Sequence, residues 1–261
     1  MTIPTTKAAF IKVPTDRTDG IQTHPVSPTT RVPSNSISLS LCIPADAPRI
    51  AQLTYTCFPS SGWDKLEPSS IRDPDQAVRE RRLATRLLPS FHLPNMKWVK
   101  AVYSPTGEIV GVAGWFAPGM PTHNIIRRSA VDFYDFKSIM GWSDADVAEM
   151  WTGVDVEAWD KQFGDCDGVR KEVMGEEPHW FLAPLLTWPE FQGRGVGTML
   201  LRWAMEQADR TEPPTAMYLE SSKTARAVYL HHGWVPVGEV NMVRRGPVGV
   251  KGEAEKEESE E

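Results

Sequence analysis

The chain has 261 residues, 41% hydrophobic and 24% charged, with a net charge of -6, a length that holds one domain of about 200 residues plus tails. The balance is that of a globular protein, and no apolar run approaches the ~20 residues with which a helix crosses a bilayer, which argues against a membrane protein. Three scattered cysteines, Cys42, Cys57 and Cys166, none in a CxxC pair, argue against a disulfide framework and a structural zinc site.

Residues 1–36 are rich in Pro, Ser and Thr without apolar periodicity and read as a flexible tail. They also lack an apolar stretch followed by a small-residue cleavage site, so the expected location is cytoplasmic. Residues 36–43 alternate polar and apolar, the pattern of a half-buried strand. Asp46 then caps a helix with Pro48 in its first turn and Ile50, Leu53, Thr54 and Cys57 at helical spacing. A second helix is predicted from Asp73-Pro74 to Leu88, where Pro89 stops it. Residues 97–103 and 108–116 read as a hairpin around Ser104-Pro105-Thr106-Gly107.

Residues 117–177 lose this regularity and form an acidic insertion with short helices around 129–139 and 143–151. Residues 143–177 hold eleven acidic side chains against three basic ones, and 251–261 six glutamates against two lysines, so the rest of the chain is net basic. The insertion is either a solvated surface or a lid that draws in a cationic amine, with Trp142, Trp151, Trp159 and Trp115 available as walls.

An apolar strand at 179–187 precedes Gln192-Gly193-Arg194-Gly195-Val196-Gly197 and a helix with Val196, Met199, Leu200, Trp203, Ala204 and Ala208 on one stripe, closed by Pro213-Pro214. A strand at 216–220, a helix at 222–232 ending at Gly233 and a last β segment at 234–243 follow. Residues 247–261 form an acidic tail.

Glycines between a strand and a helix let an anion approach backbone N–H groups unpaired at the helix start, where the dipole also favours negative charge. A bare tight turn has the same composition. A dinucleotide fingerprint needs G-x-G-x-x-G with an acid ~20 residues on. Here the spacing is G-x-G-x-G, with Glu212 or Glu220 as stand-ins for the acid. No G-K-[ST] follows, which excludes a P-loop.

The run Leu185-Leu186-Thr187-Trp188-Pro189-Glu190-Phe191-Gln192-Gly193-Arg194-Gly195-Val196-Gly197-Thr198 resembles the acetyl-CoA signature of the GCN5-related N-acetyltransferase (GNAT) family, [QR]-x-x-G-x-[GA]. Residues 222–234 resemble the family's N-x-x-A-x-x-x-Y-x-x-x-G-F helix, with Ser222 for the asparagine and Trp234 for the phenylalanine. The resemblance covers 37–243, most strongly after Pro178, and its long insertion suits a fungal-type, small-molecule member. It implies an α/β GNAT fold over 37–246. The central sheet would be mixed, mostly antiparallel and of about seven strands, splayed between strands 4 and 5 and flanked by about four helices.

The resemblance also implies a chemistry. Acetyl-CoA is the co-substrate, with no metal. Gln192, Gly193, Arg194, Gly195, Val196, Gly197 and Thr198 would cradle its pyrophosphate, with Leu185, Leu186, Thr187 and Ser222 along its arm. Tyr229 would be the general acid for the departing thiolate, and the N–H of Leu185 or Leu186 the oxyanion donor. His179 and Glu177 are candidates for the base. His231 and His232 sit at a helix C-terminus, where a partial positive charge is favoured.

The expected acceptor is an amine, a small cationic molecule ahead of a protein or peptide, with no nucleic-acid or membrane partner and a monomer or homodimer as the assembly. A non-catalytic acyl-CoA sensor or scaffold and a nucleotide-dependent oxidoreductase are the alternatives.

Overall fold

A computed structural model describes residues 31–58, 60–223 and 225–247; of the tails expected at 1–36 and 247–261, residues 1–30 and 248–261 lie outside the described residues, while Val32, inside the first, is buried in a core. Strand β1, Ile37–Leu41, is followed by helices α1, Ala47–Cys57, α2, Ser60–Leu66, and α3, Gln76–Leu87. Asp46 stands before α1, but its carboxylate does not cap it: Oδ2 accepts instead from the Ile43 N–H at 2.8 Å and Lys100 Nζ at 2.7 Å. The cap of α3 is Asp75, two residues beyond the expected Asp73, and it accepts from the Ala77 N–H. Helix α2 is seven residues long, too short for a 3.6-residue period to show in sequence.

The hairpin forms as anticipated. Strand β2, Met96–Tyr103, pairs antiparallel with β3, Glu108–Phe116. In the turn between them Gly107 takes φ 74°, and the N–H groups of Thr106 and Gly107 both donate to the Tyr103 carbonyl.

Between β3 and the next strand lie the short helices α4, Ala130–Phe133, α5, Phe136–Met140, and α6, Asp144–Met150, and then α7, Val156–Met174. At 19 residues α7 is longer than the other described helices, yet no periodicity in the sequence announces it. Its buried positions are Trp159, Asp167, Arg170 and Met174; with two of the four charged, no apolar stripe marks the buried face.

Strand β4, His179–Thr187, leads into α8, Val196–Asp209; β5, Ala216–Glu220, into α9, Arg226–His231; and the small strands β6, Val235–Pro236, and β7, Asn241–Arg244, finish the sheet. The order is β1-β2-β3-β4-β5-β7-β6, with β4 and β5 the one parallel pair. This is the mixed seven-stranded α/β sheet expected from the resemblance. A doubly wound dinucleotide fold, by contrast, needs a mostly parallel sheet.

Strand alternation supplies a core on each face. One core holds Val112, Phe116, Phe181, Leu186 and Tyr218 under α1, α3 and α4 to α7. The other holds Val99, Ala113, Trp115, Leu182 and Leu219 under α8 and α9.

The sheet opens in the middle. β4 and β5 pair from His179 with Ala216 to Leu182 with Leu219. Beyond that β4 stays with β3 as far as Thr187, while β5 stays with β7, Glu220 opposite Asn241. Where they part, β4 bulges: its register against β3 slips between Ala113 and Trp115, so that Ala183 and Pro184 face Gly114. A Cβ on Gly114 would lie 2.5 Å from the Ala183 carbonyl oxygen. Only glycine lets the two strands approach this closely.

Candidate active site

The glycine turn lies at the open end of this gap. Gly193 (φ 67°) and Gly195 (φ 93°), the residue before α8, have left-handed backbones that other residues adopt only at a cost. The side chains of the turn brace it. Gln192 Nε2 donates to the Thr187 carbonyl at 2.9 Å, Arg194 Nη1 to the Glu190 carbonyl at 3.3 Å, and the Arg194 guanidinium lies 5.6 Å from the Phe191 ring. The Arg194 carbonyl accepts from the N–H of Val32, whose side chain is buried in the core under α8.

Val196 is buried with Leu200 and Leu201, and, as at the start of any α-helix, the first-turn N–H groups of Val196, Gly197 and Thr198 have no intrahelical partners and lie at the positive end of the helix dipole. A Cβ on Gly197 would sit 3.6 Å from Thr187 Oγ1 and 3.9 Å from Leu185 Cδ2. Its absence keeps the way along β4 open, and the residues present fit a phosphate-bearing ligand.

Backbone direction separates the β4 residues. The Trp188 N–H donates to the Val110 carbonyl at 2.8 Å, and pairing with β3 is regular over Leu185, Leu186 and Thr187. Alternation therefore turns the Leu186 N–H toward β3 and those of Leu185 and Thr187 into the gap. Leu186 is also buried in the core. Of the two proposed oxyanion donors, only Leu185 faces the gap.

Tyr229 lies on α9, its ring buried against Trp234 at 6.0 Å. Burial alone pushes its phenol well above the ordinary tyrosine range. Ser222 precedes α9, and its Oγ accepts from the Ala225 N–H at 3.2 Å.

The candidate bases stand elsewhere. His179 opens β4, at the paired end of the strand, and its Nδ1 meets the Glu177 carbonyl at 2.7 Å; burial lowers its pKa. Glu177 is engaged with Arg245. His232, at the end of α9, is pushed down to about 4 by burial first, then by His231, Arg202 and Arg244. It is therefore neutral at neutral pH and carries no positive charge for the helix end.

The acidic insertion is spent largely on its own folding. Asp155 caps α7 through the Ala158 N–H, Asp160 accepts from the N–H groups of Arg128 and Ser129, and Asp167 accepts from the Asn124 N–H and Arg127. Asp146 forms a capping box with Ser143, and Asp144 and Asp165 pair with Lys137 and Lys161. The tryptophans are core residues: Trp115, Trp151 and Trp159 are buried, and the Arg86 guanidinium lies 4.7 Å from the rings of both Trp151 and Trp159. Trp142 packs against the same core.

The structure adds Glu220, which the sequence offered only as a stand-in dinucleotide acid. It ends β5, one residue past the last pair with β4, on the face that carries Tyr218 and α7. Its Oε1 is buried without a hydrogen-bond partner. Burial pushes the carboxyl up to about 7, opposed by the Tyr218 hydroxyl and Arg170 and reinforced by Asp167. Only the fold could reveal this, because its neighbours come from α7, some 50 residues earlier. Among the described residues, no group of three or more His, Cys, Asp or Glu side chains is placed to hold a metal ion, and no helix is long and apolar enough to cross a membrane.

Residues 155–236 match the family model for the acetyltransferase (GNAT) domain. No curated protein matches the chain by sequence. Among solved structures, it is similar to a Corynebacterium glutamicum protein described as histone acetyltransferase HPA2 and related acetyltransferase. The identity is 23%, over 83% of this chain and 99% of that one, with a TM-score of 0.49. A GNAT family acetyltransferase from Brucella melitensis in complex with acetyl-CoA shows 15% identity over 83% of this chain and 92% of its own, TM-score 0.41. The spermidine N-acetyltransferase of Vibrio cholerae shows 11% over 80% and 94%, TM-score 0.42.

Proposed function

We propose that this chain is an acetyltransferase that moves the acetyl group of acetyl-CoA to an amine of a small molecule. The observation that carries the reading is the position of the glycine turn. Its N–H groups, gathered at the start of α8, close the end of the gap that opens between β4 and β5 beyond Leu182 and Leu219. A pyrophosphate on those amides directs the rest of the molecule along Leu185 and Thr187, whose N–H groups face the gap.

The residues then divide the chemistry. The Leu185 N–H stabilises the oxyanion of the tetrahedral intermediate. The Tyr229 phenol, its pKa raised by burial, keeps its proton at neutral pH and is the donor for the departing thiolate. Ser222, with a shorter side chain than the family's asparagine, contacts the arm of the cofactor directly or through a water.

Calorimetry with acetyl-CoA and NADPH, followed by a thiol-release screen of polyamines, aryl amines, amino acids and peptides, tests the proposal. Acetyl-CoA but not NADPH is expected to bind, and a small amine to release thiol. Tyr229→Phe is expected to keep acetyl-CoA binding and lose about 10²-fold in kcat. Binding without turnover of any amine would point instead to the acyl-CoA sensor, and unchanged turnover by Tyr229→Phe would remove the acid role.

A further inference from the structure

We propose that Glu220 is the general base of the acceptor site, its carboxylate taking the proton that the acceptor's ammonium must lose before its nitrogen can attack. The inference rests on the amine-acetylation reading above and gives a role to a buried acid that no motif marks.

The placement is specific. At Glu220, β5 has just parted from β4, so the residue stands at the mouth of the gap. Strand alternation puts it on the α7 face with Tyr218, whereas Tyr229 belongs to the core on the other face. A proton can thus leave the nitrogen on one side of the gap while another reaches the sulfur from the opposite side.

The surroundings leave the carboxylate available. From α7 it faces Cys166, Asp167 and Arg170, and from β5 the Tyr218 hydroxyl. Asn241 Nδ2 of β7 donates to that hydroxyl at 2.6 Å, and His179 of β4 lies against the Tyr218 ring at 6.3 Å. Arg170, the one cation in this set, lies 3.6 Å from Asp167 and 4.1 Å from the Phe181 ring, and among the described residues it makes no ion pair with Glu220. A carboxylate buried with an unpartnered oxygen is costly, and a glutamine would carry no charge to bury. A costly, poorly paired group in a cleft is what a functional constraint leaves behind. Titrating near neutrality, it is matched to proton abstraction at that pH.

The step balances. The ammonium gives one proton to Glu220, directly or through a water, and the freed lone pair forms the carbon–nitrogen bond. As the tetrahedral intermediate collapses, the carbon–sulfur bond breaks and the thiolate takes the Tyr229 proton. The second nitrogen proton passes to solvent, from which Tyr229 is reprotonated, and Glu220 returns its proton to solvent. One ammonium and one thioester become one amide, one thiol and one released proton.

The test is kcat/KM against pH with two amines, 2-phenylethylamine, an ammonium at neutral pH, and aniline, already neutral there. The wild type is expected to show an acid limb near pH 7 with 2-phenylethylamine. Glu220→Gln should lose that limb and at least 100-fold in rate with 2-phenylethylamine, but less than 5-fold with aniline, while acetyl-CoA affinity by calorimetry stays unchanged. Glu220→Asp should recover part of the rate. Tyr218→Phe, which removes a hydrogen bond to the carboxylate, should move the limb to higher pH.

An unchanged profile in Glu220→Gln, or equal losses on both amines, overturns the base assignment and leaves acetyl transfer standing. A wild type that neither binds acetyl-CoA nor acetylates either amine overturns both proposals.

Discussion

Gln192 is tied to Thr187: its side-chain amide donates to the Thr187 carbonyl at 2.9 Å, and the Cys57 thiol reaches the same oxygen at 3.2 Å. The glutamine that marks the motif therefore clamps the glycine turn onto the end of β4.

Breaking that clamp should weaken binding without unfolding the protein. Gln192 is exposed, and one hydrogen bond is worth about 1 kcal/mol. Gln192→Ala is expected to raise the acetyl-CoA Kd by about 5-fold, read by calorimetry, with an unfolding free energy within about 0.5 kcal/mol of the wild type.

Gly114 makes the opposite case. A Cβ there would meet the Ala183 carbonyl oxygen at 2.5 Å and the Trp98 ring at 2.9 Å, neither of which can retreat from a packed sheet. Gly114→Ala should cost about 1–3 kcal/mol in urea unfolding. Gly62 in α2 has nothing within 4 Å of its added Cβ, so Gly62→Ala should be stabilising by about 0.5–1 kcal/mol.

A buried ionic knot joins α1, α2 and α3. Glu67 accepts from the Tyr55 hydroxyl at 2.5 Å and Arg79 Nε at 2.6 Å, with Arg86 at 3.8 Å. Neutralising its centre strands the buried Arg86 and the half-buried Arg79. Glu67→Gln is expected to destabilise by about 3 kcal/mol, measured by denaturant unfolding at pH 7, with acetyl-CoA affinity little changed because the knot lies away from the glycine turn.

His232 gives a pH signature. Its folded pKa, about 4, lies below the ordinary 6.5, so between those values the unfolded chain binds more protons than the folded one. Stability should therefore rise with pH across this window and fall as acid is added. An NMR titration of the imidazole should show a midpoint near 4, and His232→Gln should flatten that part of the stability profile.

The sequence by itself determined the elements whose period is apolar and the cofactor motif that is local. The alternation at 36–43, the hairpin around Gly107, the apolar 179–187 run and the glycine turn all specify their own backbone through nearby residues. The sequence could not show α7, because Asp167 and Arg170 occupy its buried face and break the apolar stripe. Nor could it tell that Asp160 and Asp167 hold the segment around residues 124–129, or that Trp151 and Trp159 both lie against Arg86, since these partners lie far along the chain.

The tertiary structure alone decided where the two middle strands separate. That point sets the Leu185 N–H facing the gap and puts Glu220 at its mouth, and it removes His179 to the paired end. The chemistry of these side chains depends on burial and on neighbours brought from α7 and β7, and neither is written in the order of residues around them.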